Sequence, residues 1–208
     1  MTIGELAKKY DAFVVTDEVY EHMVYAPNEH ICMASLPGMW ERTITCNSLS
    51  KTYSITGWRL GYAIAPKHLM DRIKQYHDFN AVGAASPLME AACVGLNMPD
   101  SYYEEFGAHY AHMKKLFTEG LDRIGIPYTD PQGAYFVLAD IAPFLKPGQS
   151  DVDFCLEMAQ KVGVACVPGT SFFNEKGINN IVRVHFAKKD DTLNEALERL
   201  SHIKEKMC

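Results

Sequence analysis

Hydrophobic and polar positions along the first hundred residues predict short strands that alternate with helices. Three short apolar runs, AFVVTD, RTITCN and GYAIAP, have the length of buried strands. Thr2 and Glu5 form a capping-box pattern that predicts a short helix through Lys9, and further helices are predicted from Pro66 and after Ser86. The pattern predicts an α/β layer with about three strands, fewer than the five or six of an average sheet.

The longest periodic segment, DSYYEEFGAHYAHMKKLFTEGLDRIG, predicts a helix that Gly125 caps. Apolar residues recur along it every three or four positions, which predicts one apolar face: Phe106, Tyr110, Met113, Phe117, Leu121 and Ile124. The remainder alternates between strand and helix patterns: the strand GAYFVLADI, the helix DVDFCLEMAQKVG, VACVPG as a strand or loop, the strand NIVRVHFA and a final helix TLNEALERLSHIKEKM. We therefore place a domain boundary near residue 100, between residues 1–100 and residues 101–208.

Composition and charge exclude several classes of protein. The 208 residues carry a net charge of -6, whereas a nucleic-acid-binding protein usually presents a basic face. No apolar run approaches the ~18 residues of a membrane-spanning helix, and the start MTIGELAKKYD has no apolar signal region. We expect a cytoplasmic protein that binds neither nucleic acid nor membrane.

The six cysteines are predicted to be reduced thiols, mostly buried, because no two form a C-x-x-C pair and several lie in apolar runs. This usage is typical of a cytosolic protein and not of a disulfide framework or a zinc site. His109 and His112 have helical spacing but no evident third ligand, so no metal site is predicted.

The segment CNSLSKTYSITGWRLGY, residues 46–62, contains the most specific chemistry. The Lys51 amine is a nucleophile toward aldehydes once it is desolvated or placed near another cation. Ser48 offers a hydroxyl group, and Arg59 offers a planar fork of donors that suits a phosphate. A phosphorylated aldehyde cofactor accounts for all three, and pyridoxal 5'-phosphate is the obvious candidate.

The ring nitrogen of that cofactor needs a carboxylate to stay protonated. Asp17 lies at the carboxyl end of the first predicted strand, where open α/β sheets bind their ligands. Tyr20 follows three residues later, so a helical turn after the strand would place its phenol on the same side. Taken alone, Asp17 and Glu18 after a strand are better interpreted as the start of a turn or helix.

Five segments in order, TDEVY, SLSKTYSITGWRLGY, PQGAYF, VPGTSFF and IVRVHFA, resemble the signatures of the class I/II aminotransferases of fold type I. The closest resemblance is to the aspartate-, aromatic- and kynurenine-type group. It implies pyridoxal phosphate as cofactor, amino acid and 2-oxo acid substrates, and a homodimer. It also implies an α/β fold: residues 1–100 as the C-terminal part of a large domain with a mostly parallel sheet and helices, and residues 101–208 as a connecting helix and a small C-terminal α/β domain.

The resemblance also implies roles for individual residues. Lys51 resembles the lysine that forms a Schiff base with the cofactor and moves a proton. Asp17 resembles the partner of the pyridine nitrogen, and Tyr20 resembles the donor to the ring oxygen. Ser48 and Arg59 resemble phosphate ligands.

Arg183 resembles the arginine that binds the α-carboxylate of the substrate, although a structural ion pair is the alternative within an apolar strand. Chains of this family usually have about as much sequence again before the DEVY segment, so the chain resembles a C-terminal half. We expect an aminotransferase truncated at its N-terminus. Two alternatives remain: a carbon–sulfur β-lyase that uses the same site, and a catalytically inactive fragment.

Overall fold

The computed structural model describes residues 2–173 and 178–207. The chain divides into two compact units, Met1–Phe106 and Gly107–Cys208, and the division falls inside the long helix. Within the described residues, no helix combines the length and the apolar character that a membrane span requires.

Three strands and several helices form the first unit. Its capping box is present as predicted, because the Thr2 side chain accepts a hydrogen bond from the Glu5 N–H while the Glu5 carboxylate accepts one from the Thr2 N–H. In chain order the elements are α1 (Ile3–Lys9), β1 (Val14–Asp17), β2 (Thr43–Ser48), α2 (Leu49–Thr52), β3 (Gly61–Ile64), α3 (Lys67–Ala81) and α4 (Ser86–Leu96).

The first sheet has the order β1-β2-β3 and is mixed. Strand β1 runs parallel to β2, with Asp17 opposite Cys46, and β3 runs antiparallel to β2, with Gly61 opposite Ser48. The carboxyl ends of β1 and β2 therefore lie at the same edge of the sheet, where β3 begins. Gly61 is needed there, because a Cβ atom at this position would lie 2.8 Å from the Asn47 carbonyl oxygen.

The first unit is poor in buried apolar residues. Of the 28 buried hydrophobic residues described, seven lie in it, whereas it holds 18 of the 22 exposed large hydrophobic residues. Val15 in β1 is 66% exposed and Ile64 in β3 is 50% exposed. An apolar surface of this extent is the kind that another chain or segment usually covers.

Helix α5 (Asp100–Ile124) begins in the first unit and continues into the second. Its predicted apolar face is confirmed at Met113, Phe117 and Leu121, which are buried, and Gly125 adopts the left-handed conformation (φ 78°) that ends the helix. The elements that follow are β4 (Tyr128–Thr129), β5 (Phe136–Asp140), α6 (Asp151–Lys161), β6 (Val167–Pro168), β7 (Ile181–His185), α7 (Asp190–Ser201) and α8 (Ile203–Met207). They build an antiparallel sheet of order β4-β5-β7-β6.

The prediction of one uninterrupted final helix was wrong. Helix α7 ends at Ser201, where the serine hydroxyl donates to the Glu198 carbonyl oxygen (2.7 Å). The His202 N–H bonds to the Arg199 carbonyl, three residues back, so the helical ladder is interrupted. The chain then resumes as α8, which buries Ile203 and Met207. The two-residue strand β4 was also not predicted, because a pattern of period two cannot be recognised over two residues.

Candidate active site

The segment that contains Lys51 leaves β2 directly into the four-residue helix α2. Ser48 caps this helix: its Oγ accepts a hydrogen bond from the Ser50 N–H (3.1 Å) and lies 2.6 Å from the Ser50 Oγ. A serine favours such a cap because its oxygen replaces a missing helical acceptor. Lys51 lies in the last turn of α2 and is half-buried, between the buried residues Ser50 and Thr52.

Arg59 directly precedes Leu60, which is hydrogen-bonded to the end of β2 and the start of α2. It follows a 3-10 turn, Thr56–Trp58, in the left-handed conformation (φ 57°), and its Nη1 donates to the Thr56 carbonyl oxygen (2.9 Å). The next residue, Leu60, accepts a hydrogen bond from the Leu49 N–H (3.2 Å) and its carbonyl oxygen lies 3.2 Å from the Ser48 Oγ. These two hydrogen bonds hold the backbone next to Arg59 at the end of β2, and the Arg59 side chain is exposed.

Asp17 ends β1 at the same edge of the sheet. Its side chain is exposed, and Oδ1 accepts a hydrogen bond from the Val19 N–H (3.2 Å), so it also begins a turn, as the alternative reading expected. Half-buried Tyr20 lies in that turn, and its carbonyl oxygen accepts a hydrogen bond from the Met23 N–H (2.8 Å). The structure thus brings Asp17, Ser48 and the Lys51 segment to one sheet edge.

Glu18 was not singled out by its sequence, yet it fixes this turn. Its buried carboxylate lies 2.9 Å from the Thr16 Oγ1 and 2.9 Å from the His30 Nε2. Burial acts to raise the pKa of Glu18, but hydrogen bonds from His30, Thr16 and Cys32 outweigh burial and hold that pKa below its usual value. The two-residue period of a strand could have indicated this arrangement, because it places Asp17 and Glu18 on opposite faces.

Two tyrosines at the start of α5 hold the residues that follow Lys51. The Tyr102 hydroxyl donates to the Thr52 carbonyl oxygen (2.6 Å), and the Tyr103 and Tyr53 hydroxyl oxygens lie 2.8 Å apart. Burial, together with the hydrogen bond to Tyr103, raises the pKa of Tyr53, so its hydroxyl stays protonated. Sequence reasoning missed these contacts because they join residues 50 positions apart.

We expect Tyr102→Phe to lower the free energy of unfolding of the first unit by about 1 kcal/mol, the usual size of one lost hydrogen bond. Both tryptophans, Trp40 and Trp58, lie in this unit, so urea titration followed by tryptophan fluorescence reports on it selectively. Tyr76→Phe is the matched control, since Tyr76 is 73% exposed. Equal unfolding midpoints for the two variants would show that the Thr52 contact adds no stability.

Arg183 lies in the other unit, in β7, opposite Leu138 of β5 and Val167 of β6. Its guanidinium stands over the rings of Phe172 (4.3 Å) and Phe136 (5.0 Å) and is half-buried. Among residues 2–173 and 178–207 it forms no ion pair, so the structural ion pair considered above is not found there.

Residues 1–200 match the protein family described as "Aminotransferase class I and II". The chain belongs to this family. It is 34% identical over 203 residues to an aspartate aminotransferase of Pyrococcus abyssi, covering 97% of this chain and 51% of that relative. It is 33% identical to human kynurenine–oxoglutarate transaminase 3, covering 94% of this chain and 47% of that relative.

Solved structures agree with the sequence relatives. N-succinyldiaminopimelate aminotransferase from Mycobacterium tuberculosis superimposes with a TM-score of 0.90 at 34% identity, over 97% of this chain and 52% of that one. The predicted fold class, the pyridoxal-phosphate fold type I, is confirmed by such structures, and class I/II aminotransferases are pyridoxal-phosphate-dependent enzymes. The chain spans about half the length of the curated relatives it matches.

The donor set of this aminotransferase chain fits the cofactor of its family. Among the described residues, the Arg59 side chain makes one hydrogen bond, to a carbonyl group, so its other donors remain for a phosphate. The hydroxyl group of Ser48 bonds to the carbonyl oxygen of Leu60, the residue after Arg59. The Lys51 amine is on the helix that Ser48 caps, and the exposed Asp17 carboxylate ends the neighbouring strand. A phosphate requires hydrogen-bond donors, an aldehyde requires a nucleophilic amine, and a pyridinium requires a carboxylate.

Proposed function

We propose that this chain forms the lysine-bearing part of an aminotransferase that moves an amino group between an L-amino acid and a 2-oxo acid. One observation carries the proposal: a chain of this family places Lys51, Ser48 and Asp17 at a single sheet edge, and Leu60, the residue after Arg59, is hydrogen-bonded to Ser48. The sheet edge is formed by the carboxyl ends of parallel strands, where α/β folds bind ligands.

Each residue at this edge has a distinct task in the proposal. Pyridoxal phosphate, when bound, supplies the electron sink for the reaction at the substrate α-carbon. Asp17 holds the proton on the pyridine nitrogen, and Tyr20 donates a hydrogen bond to the ring oxygen. Ser48 and Arg59 bind the phosphate, the arginine through its planar fork.

Lys51 has two tasks in the proposal. With the cofactor bound, the Lys51 amine would hold it at the aldehyde carbon and would carry a proton between the substrate α-carbon and the cofactor. The short helix α2 and the Tyr102 contact to Thr52 hold the backbone on either side of Lys51, so the amine starts from a defined position. Because the amine is already positioned, less entropy is lost when it is brought into the geometry of the proton transfer.

Arg183 binds the α-carboxylate of the substrate in the proposal. A half-buried guanidinium needs an anion, and the described residues supply aromatic rings in place of a carboxylate. The Arg183 Cζ lies 4.3 Å from the centroid of the Phe172 ring. A contact with the face of the guanidinium leaves the N–H groups along its edge available for a bidentate bond to a carboxylate.

We further propose that residues 1–100 are the C-terminal part of a cofactor-binding large domain, and that residues 101–208 are the connecting helix and small domain. The protein acts as a cytoplasmic homodimer. The 18 exposed large hydrophobic residues described in the first unit support this proposal, because a partner chain or segment would cover them. The thiols of Cys32, Cys46, Cys93, Cys155 and Cys166 are free, which suits a reducing compartment, and Cys208 lies outside the described residues.

The function is tested by joining ahead of residue 1 the part of the Pyrococcus abyssi relative that this chain does not match. We expect this chimaera to convert an amino acid to its 2-oxo acid only while a second 2-oxo acid is supplied. Release of pyruvate from a cysteine conjugate without any added 2-oxo acid would instead identify a β-lyase. A chimaera that binds pyridoxal phosphate but turns over neither substrate would identify an inactive fragment.

In the chimaera, Arg183→Lys should raise KM for amino acids and 2-oxo acids about 10- to 100-fold with a smaller change in kcat. Lysine keeps the charge but loses the fork, which removes one charge-assisted hydrogen bond of about 1.5–3 kcal/mol. Steady-state kinetics with both substrates measures the split. Arg123→Lys, at an exposed position of α5, is the control. Unchanged KM values in Arg183→Lys would make Arg183 a structural residue.

A further inference from the structure

Two thiols of the second unit are in direct contact. The Sγ atoms of Cys155 and Cys166 lie 3.2 Å apart, with Cys155 on α6 and Cys166 in the loop that precedes β6. A disulfide bond is about 2.05 Å long, so the two sulfurs need to approach each other by only about 1.1 Å.

The backbone on both sides of the pair is held in place. The N–H groups of Val162 and Gly163 both bond to the Met158 carbonyl oxygen (2.9 and 3.0 Å), and the Arg199 Nη1 donates to the Gly163 carbonyl oxygen (2.9 Å). Beyond β6, the Thr170 N–H donates to the Asp151 carboxylate at the start of α6 (2.8 Å). The loop between the cysteines is therefore fixed at both ends, which keeps the thiols in contact in the folded state.

We propose that Cys155 and Cys166 are a modification site, a dithiol that a small hydroperoxide converts to an intramolecular disulfide. Burial selects the class of oxidant: Cys155 is only 8% exposed, which admits hydrogen peroxide more readily than a bulky disulfide such as oxidised glutathione. The site lies within the second unit and is independent of the proposed transamination.

The reaction has two balanced steps. The Cys155 thiolate attacks one oxygen of the peroxide, the O–O bond breaks, and the departing hydroxide takes a proton to become water; Cys155 is left as a sulfenic acid. The Cys166 sulfur then attacks the Cys155 sulfur, the S–O bond breaks, and the released hydroxide takes the Cys166 proton to become the second water. The two thiols lose two electrons and the peroxide gains them.

The hydrogen bond between the thiols assigns these roles. The Cys166 thiol donates to the Cys155 sulfur, and this bond lowers the pKa of Cys155 against the opposing effects of burial and of the Asp151 charge. The same hydrogen bond, with burial, raises the pKa of Cys166. Cys155 is therefore the attacking thiolate and Cys166 the resolving thiol, because the thiolate is the reactive form.

The test uses the purified chain, reduced and then treated with hydrogen peroxide, with the remaining thiols alkylated at intervals. Trypsin cleaves after Lys161, between the two cysteines, so the disulfide appears as a pair of linked peptides in mass spectrometry. We expect this link to form at least about tenfold faster than any other disulfide, and dithiothreitol to reverse it. The proposal would be overturned if exposed Cys93 were oxidised as fast as the Cys155–Cys166 pair, or if both thiols of the pair remained available for alkylation.

Two variants separate the roles of the thiols, and circular dichroism first establishes that each is folded. Cys166→Ser should leave a Cys155 sulfenic acid that dimedone traps, while Cys155→Ser should slow the oxidation of Cys166 at least about tenfold. Cys93→Ser is the control and should form the link at the wild-type rate. Oxidation of Cys166 at the wild-type rate in Cys155→Ser would contradict the proposal. If a variant does not fold, the rate at which the wild-type chain forms the Cys155–Cys166 link decides whether the proposal holds.

Discussion

Lys51→Ala should reduce transamination by the chimaera about 1000-fold or more. The substitution removes the covalent attachment to the cofactor and also the group that moves the proton, and general acid–base catalysis alone typically contributes 100- to 10,000-fold. The measurement is amino-acid-dependent production of 2-oxo acid. Lys67→Ala provides the control, because the Lys67 side chain is 87% exposed and pairs with Asp71 on the surface of α3. Turnover within tenfold of wild type in Lys51→Ala would refute the assignment.

The same assignment has a chemical readout that does not depend on turnover. Borohydride reduction of the protein in the presence of pyridoxal phosphate should fix the label on the peptide that contains Lys51. Lys51 is half-buried within α2 beside Ser50 and Thr52, whereas Lys67 is almost fully exposed, so random labelling would favour surface lysines. A dominant label on a surface lysine would show that Lys51 is not the attachment point.

The chain by itself should have less than about 1% of the transaminase activity of the chimaera. Its relatives are about twice as long, and the first unit buries seven hydrophobic residues while it exposes 18 large ones. Ser48, Arg59 and Asp17 form one wall of the proposed site, and we expect the opposite wall to come from the part of the family fold that this chain does not match. An electrostatic partner removed from such a site typically costs 100- to 1000-fold in kcat.

Glutamate-dependent transamination and sedimentation velocity together test this expectation. The exposed apolar surface, including Val15 and Ile64, should drive self-association of the chain alone. The chimaera is the matched positive control for activity. Robust turnover by a monomeric chain would show that the additional length of the relatives is dispensable for this chemistry.

Local patterns were sufficient for most elements of the fold. Helix α5 follows from a repeat of three and four residues, and its cap at Gly125 from the freedom of glycine to adopt positive φ. Strand β2 follows from the apolar run RTITCN, whereas the short helix α2 and its Ser48 cap were not predicted. The break at His202 does not follow from a local pattern, because the apolar positions of α7 and α8 continue one helical repeat across it.

The sequence by itself determined which chemical groups are present: an amine at Lys51, a guanidinium at Arg59 and a carboxylate at Asp17, at spacings that resemble those of one family. Only the tertiary structure decided which groups meet. Ser48 bonds to the carbonyl of Leu60, the residue after Arg59, Tyr102 donates to the Thr52 carbonyl, and two thiols meet at 3.2 Å. The physical reason is that hydrophobic periodicity depends on neighbours within a few residues, whereas these contacts join residues 11 to 50 positions apart.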